Sequence, residues 1–112
     1  MKPSHGAAVL FRGVVRELES GALISGIDYT CYPELAERQL EEIIAQGRAR
    51  FEQHDGSMVH RLGFVAAGEA AVIVEVKAPH SAGAFELCQW YLCRIKEDLP
   101  IWKHPIFLDS AS

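Results

Sequence analysis

An apolar stripe closed by a single proline constrains this chain more than any other feature. Phe85, Cys88, Leu92, Ile95 and Leu99 recur at spacings of three and four, which is the period of a helix lying on a core. Pro79 precedes the stripe where a strand should end, and Ser81 is placed to cap the orphan amides of the first turn. Pro100 stops the helix, because it has no N–H to give the carbonyl of Lys96 and its ring crowds that turn. Lys96 therefore falls in the last turn, near the negative end of the dipole. A stiff, aromatic-anchored elbow, Pro100-Ile101-Trp102, then delivers Lys103. Two lysines are thus carried to one end of a packed helix.

The elements upstream supply a sheet for that helix. Gly6 to Val15 is rich in β-formers and reads as a buried strand interrupted by Gly13, with Arg16 at its end. Glu19-Ser-Gly-Ala is turn chemistry, and Leu23 to Tyr32 makes a second strand with Ile27, Tyr29 and Cys31 on one face. Tyr32-Pro33-Glu34 opens a first helix, with proline at the first helical position and an acid in the first turn. Its stripe is Ala36, Leu40, Ile43, Ile44, Gly47 and Phe51; Glu34, Arg38, Glu41, Glu42 and Arg48 form its solvated face. His54-Asp-Gly-Ser turns the chain, Met58 to Leu62 is a third strand, Gly63 to Gly68 a loop and Glu69 to Lys77 a fourth strand. The residues after Lys103 read as a short extended tail. The order β-β-α-β-β-α makes an α+β fold, a sheet layer with its helices on one side.

At 112 residues, residues 1–112 read as one domain, with 49% hydrophobic and 23% charged residues as in ordinary soluble proteins. The net charge of −4 argues against a broad nucleic-acid face but not against a local basic pocket. No apolar run reaches the ~20 residues of a membrane helix, and no signal-peptide pattern is present. Cys31, Cys88 and Cys93 form no metal motif and read as reduced thiols, so the chain is expected in the cytoplasm. His5, His54, His60, His80 and His104 are scattered without ligand spacing, so no metal site is expected. Neither a nucleotide-binding glycine loop nor a nucleophile elbow is present. What remains is a cationic constellation of Arg16, His80, Lys96 and Lys103, suited to a phosphate or carboxylate. By themselves these residues do not name a reaction, and a lysine in a last helical turn is most often a solvated dipole partner. Trp90, Tyr91 and Trp102 look exposed and suggest a dimer, unless the tail covers them.

Five stretches together are distinctive: Gly6-Ala-Ala-Val-Leu-Phe-Arg-Gly-Val-Val-Arg16, Tyr32-Pro-Glu-Leu-Ala36, His60-Arg-Leu-Gly-Phe-Val-Ala-Ala-Gly-Glu69, Ala78-Pro-His80 with Ala84-Phe-Glu86, and Ile95-Lys-Glu-Asp-Leu-Pro-Ile-Trp-Lys103. From about Gly6 to Lys103 the chain resembles the catalytic (large) subunit family of molybdopterin synthase. The resemblance implies an α/β-hammerhead-like single domain with two main helices, in a homodimer within a heterotetramer. It implies a partner, a small ubiquitin-like sulfur carrier whose C-terminal Gly-Gly bears a thiocarboxylate. It also implies the reaction: sulfur transfer from that tail to cyclic pyranopterin monophosphate, giving molybdopterin, with no cofactor of its own. The family's pocket residues carry over to Val14, Val15 and Arg16, to His80, and to Lys96 and Lys103 as the catalytic pair. Ser81 and His104 are the neighbouring substrate-binding candidates. At Ser81 the family usually has an arginine, and in place of His104-Pro105 it has a basic residue and a glutamate. These departures define the alternative, a non-catalytic homologue that binds the small subunit or a pterin-like anion without turnover, and they raise the question whether Arg12 or Arg61 replaces the missing fork.

Overall fold

The computed structural model describes residues 2–108. The first strand, β1 (Ala7–Val14), is followed by β2 (Leu18–Glu19), β3 (Ala22–Cys31) and α1 (Pro33–Arg50). The chain continues through β4 (Asp55–His60), β5 (Gly63–Ala66), β6 (Ala70–Ala78), α2 (Ser81–Asp98) and β7 (Ile101–Phe107). The α+β class and the two main helices hold, but the strands divide between two antiparallel sheets.

The first sheet has the order β1-β6-β4 and carries both helices. Its apolar alternation is clean on β6, where Val74 and Val76 are fully buried and Glu75 and Lys77 are only half-buried. Ile43 of α1 and Ala84, Leu87, Cys88, Tyr91, Ile95 and Leu99 of α2 and its end pack on these strands. The buried stripe of α2 is therefore rotated from the one expected. Phe85 is 65% exposed, and Ala84 with Leu87 takes the inward place. The spacing was helical, but leucine and phenylalanine are on both faces of this helix, so periodicity alone chose the wrong edge of the stripe. Its N-cap is His80, not Ser81, and no side chain bonds the first-turn amides.

Tyr91 also differs from its expected exposure. It is completely buried, edge-on to Trp90, and its hydroxyl lies 2.6 Å from His54 Nε2. His54 Nδ1 donates to the Glu52 carbonyl at 2.7 Å, so Nε2 accepts from the tyrosine. Gly47 of α1 and Gly56 of β4 leave the space for this ring; a Cβ on Gly47 would collide with the Tyr91 hydroxyl, and one on Gly56 would sit 3.0 Å from its edge. This explains why Asp55-Gly-Ser, expected as a turn, lies in strand β4, which begins and ends earlier than Met58 to Leu62.

The second sheet centres on β3, which pairs with β2, β5 and β7. Ser20 and Gly21, with φ of 52° and 81°, form the tight turn between β2 and β3. The expected loop after Leu62 contains β5, and the expected elbow and tail form β7, which runs opposite β3 from Ile24 to Cys31. Both strands escape a periodicity reading, one because it is four residues long and the other because Pro105 interrupts it. Val15, Ile24, Ile27, Tyr29, Val65 and Ala71 form this sheet's core, and Val72 and Ile101 pack into both cores. The sheets lie end to end, giving extents of 58 × 27 × 20 Å. Among the described residues no helix is long and apolar enough to cross a membrane.

Candidate functional site

A cleft of about 640 Å³ opens where the two sheets meet, beside the end of β1, the last turn of α2 and the start of β7. One wall is apolar, from Phe11, Val72, Leu92, Ile95, Leu99 and Ile101. The charged lining is entirely cationic: Arg12, Arg16, Lys96 and Lys103, with no aspartate or glutamate. Among the described residues none of these four forms an ion pair. Four unpaired cations in a chain of net charge −4 make a focused positive field, the electrostatic complement of a multiply charged anion.

Lys96, Lys103 and Arg16 each arrive by a separate local cause. Pro100 ends α2, and the Leu99 N–H closes the last turn on the Ile95 carbonyl at 3.2 Å, which leaves Lys96 at the cleft. Lys103 is on β7 directly across from Tyr29 of β3. Successive residues of a strand face opposite ways, so His104 leaves the cleft and bonds Thr30 Oγ1 through Nε2 at 3.0 Å. On β1 the register with β6 shifts between Gly13 and Val14. Beyond that bulge Val15 is clamped: its N–H donates to the Glu69 carbonyl at 2.9 Å, and its own carbonyl accepts from Gly68 at 2.8 Å. Arg16 is thereby aimed into the cleft, with Val14 beside it, while Val15 itself is buried in the second core.

His80 and Ser81 stand at the opposite end of α2 and do not line the cleft. At 1.5 Å per residue, about 24 Å of helix axis separates His80 from Lys96.

Of the lining residues, Tyr29 and His60 were not among the expected site residues, and Arg12 was raised only as a substitute for the missing fork. Arg12 is on the exposed alternation of β1, Tyr29 on β3 and His60 at the end of β4. The His60 ring stands edge-on to Tyr29 at 5.0 Å, and its Nδ1 donates to the Arg61 carbonyl at 2.8 Å. In the neutral ring Nε2 is then the acceptor. Burial, and secondarily the charge of Lys103, hold the imidazole below its ordinary pKa, against the Arg61 carbonyl bond. Burial and the charge of Glu19 raise the Tyr29 phenol, which stays protonated. His60 had its signal in the His60-Arg61 and Gly68-Glu69 pattern, whereas nothing local in the sequence marks Arg12. Among the described residues no group of three potential ligands is arranged to hold a metal ion.

Residues 1–98 match the family model described as MoaE protein. The chain belongs to the MoaE family. It is 35% identical over 105 residues to the molybdopterin synthase catalytic subunit of Thermoplasma volcanium, covering 94% of this chain and 77% of that protein. The corresponding subunit of Emericella nidulans is 36% identical over 109 residues, and there the chain spans only 56% of its relative's length. The crystal structure of molybdopterin synthase from Staphylococcus aureus superposes with a TM-score of 0.92 at 33% identity, over 98% of this chain and 80% of that one. The similarity to MoaE proteins thus extends through both sheets and both helices.

Proposed function

We propose that this chain is the catalytic subunit of a molybdopterin synthase, passing sulfur from the thiocarboxylated tail of a small ubiquitin-like subunit to cyclic pyranopterin monophosphate. The observation that carries this reading is the convergence of Arg16, Lys96 and Lys103 on one cleft that has an apolar wall and no carboxylate. The wall suits a flat heterocycle and the cations suit its phosphate. The thiocarboxylate sulfur bonds to the substrate, water then cleaves the acyl–sulfur bond, and the donor tail leaves as a carboxylate, so negative charge passes through its acyl oxygen and sulfur during each transfer. Lys96 and Lys103 both line the cleft and serve as the acid/base and oxyanion-stabilising pair. Arg16 holds the phosphate, and Val14 shapes the entrance.

His80, Ser81 and His104 lie off this cleft within one chain. If they contact substrate they do so from a second copy, which fits a homodimer within a heterotetramer. The second sheet offers a surface for it: Phe64, Ile106 and Phe107 are each at least 43% exposed. Residues 1–112 are read as one domain of this assembly, working in the cytoplasm, where Cys31, Cys88 and Cys93 stay as free thiols.

The test is a reconstituted assay with purified chain, thiocarboxylated small subunit and cyclic pyranopterin monophosphate, with molybdopterin read as its fluorescent oxidised derivative. Product formation supports the enzyme. Tight binding of the small subunit without product supports the non-catalytic homologue, the reading favoured by Ser81 in place of an arginine.

A further inference from the structure

Two arginines, Arg12 and Arg16, line the cleft. Arg12 is on the free edge of the first sheet, with its strand neighbour Phe11 packed inward and its own side chain turned outward. It lines the same cleft as Arg16, Lys96 and Lys103, and among the described residues no carboxylate pairs with it. An unpaired arginine that contributes nothing to the core contributes a planar, five-donor fork to whatever enters. The other arginine near this end of the molecule is committed elsewhere. Arg61 Nη1 lies 3.6 Å from Glu69 Oε1 and 3.5 Å from the Ala70 carbonyl, and it does not line the cleft.

We propose that Arg12 is a specificity-determining residue: it grips the phosphate of the substrate beside Arg16 and gives the cleft its preference for a phosphorylated over an unphosphorylated ligand. The identity of that ligand rests on the sulfur-transfer reading; the anion grip does not. Arg12 precedes and Arg16 follows the bulge at Gly13 and Val14, and both line the cleft, so an anion bound there has two forks within one pocket.

Equilibrium titration of the full chain with cyclic pyranopterin monophosphate and with its dephosphorylated counterpart tests this directly. In Arg12→Ala, affinity for the phosphorylated compound is expected to fall roughly tenfold or more, the scale of lost charge-assisted bonds. Affinity for the dephosphorylated compound stays within about twofold of wild type, within the usual effect of a surface change. Arg12→Lys recovers part of the loss, and Arg61→Ala changes neither affinity. Equal losses for both compounds, or no loss, overturn the proposal. Pyrophosphate is the second probe. If it binds in an Arg12-dependent way while neither pterin compound binds, the anion grip stands and the sulfur-transfer reading falls; if Arg12→Ala leaves pyrophosphate binding unchanged, the grip itself is refuted.

Discussion

Lys103 stands directly opposite Tyr29 across the β3–β7 ladder, and the Tyr29 ring in turn meets His60 edge-on at 5.0 Å. A paired strand, not the expected stiff elbow, therefore sets where the lysine points. Strand alternation makes this placement sensitive to a single residue. Exchanging neighbours, Lys103→His with His104→Lys, keeps the composition and moves the ammonium to the Thr30 face. The double variant is expected to fold like wild type by circular dichroism and to have no more activity than Lys103→Ala. Retained activity would show that a lysine anywhere near the strand suffices.

The lowered pKa of His60 has a definite sign. The unfolded imidazole titrates near ~6.5, and burial followed by the Lys103 charge holds the folded one lower. The unfolded chain then binds more protons between those values, so this contribution to stability is present above ~6.5 and is lost as pH falls through the folded pKa. In an NMR titration, Lys103→Ala is expected to move the His60 midpoint upward but short of ~6.5, since burial is the larger cause. His60→Gln is expected to flatten the loss of thermal stability between pH 7 and the acid limb. A wild-type midpoint above the ordinary histidine value contradicts the assignment.

The Tyr91–His54 pair joins α2 to the segment between α1 and β4. Tyr91→Phe leaves His54 Nε2 buried without its donor, at a cost of roughly 1–3 kcal/mol in urea unfolding. Gly47→Ala forces a methyl group against the tyrosine hydroxyl, and overpacking of this kind costs about 1–3 kcal/mol. Activity per folded molecule is expected to be unchanged in both, because neither residue lines the cleft.

Since His80 sits at the far end of α2 from Lys96, a shared site requires two copies. His80→Ala and Lys103→Ala proteins, each impaired alone, are expected to regain part of the wild-type rate when mixed and allowed to exchange subunits. Phe107→Glu, on the exposed apolar face of β7, is expected to give a monomer by analytical ultracentrifugation. Absence of complementation would assign His80 a role outside the site.

Much of this architecture was readable in the residues. The stripe from Ala36 to Gly47, the Ser20-Gly21 turn and the stop at Pro100 follow from period and turn chemistry, and each is found where expected. The division into two sheets was not readable, because it depends on pairing between β3 and β7, distant segments whose register no local pattern records. Tyr91 looked exposed for a similar reason: the glycines that admit it, Gly47 and Gly56, come from two other elements. At the site, Arg16, Lys96 and Lys103 were recognisable as a set, and the fold gathers them. Tyr29 joins them from β3 of the second sheet, which is a property of topology and not of spacing.

Sulfur transfer is proposed to take place in the Lys96–Lys103 cleft. The most direct test is the initial rate of molybdopterin formation in the reconstituted assay for wild type, Lys103→Ala and Lys77→Ala, the last a lysine on β6 outside the cleft. The expected result is a loss of 10²-fold or more for Lys103→Ala, on the order of the 10²–10⁴-fold that a positioned acid or base supplies, with Lys77→Ala near wild type. A Lys103→Ala rate equal to that of Lys77→Ala would contradict the claim and move the chemistry away from this cleft.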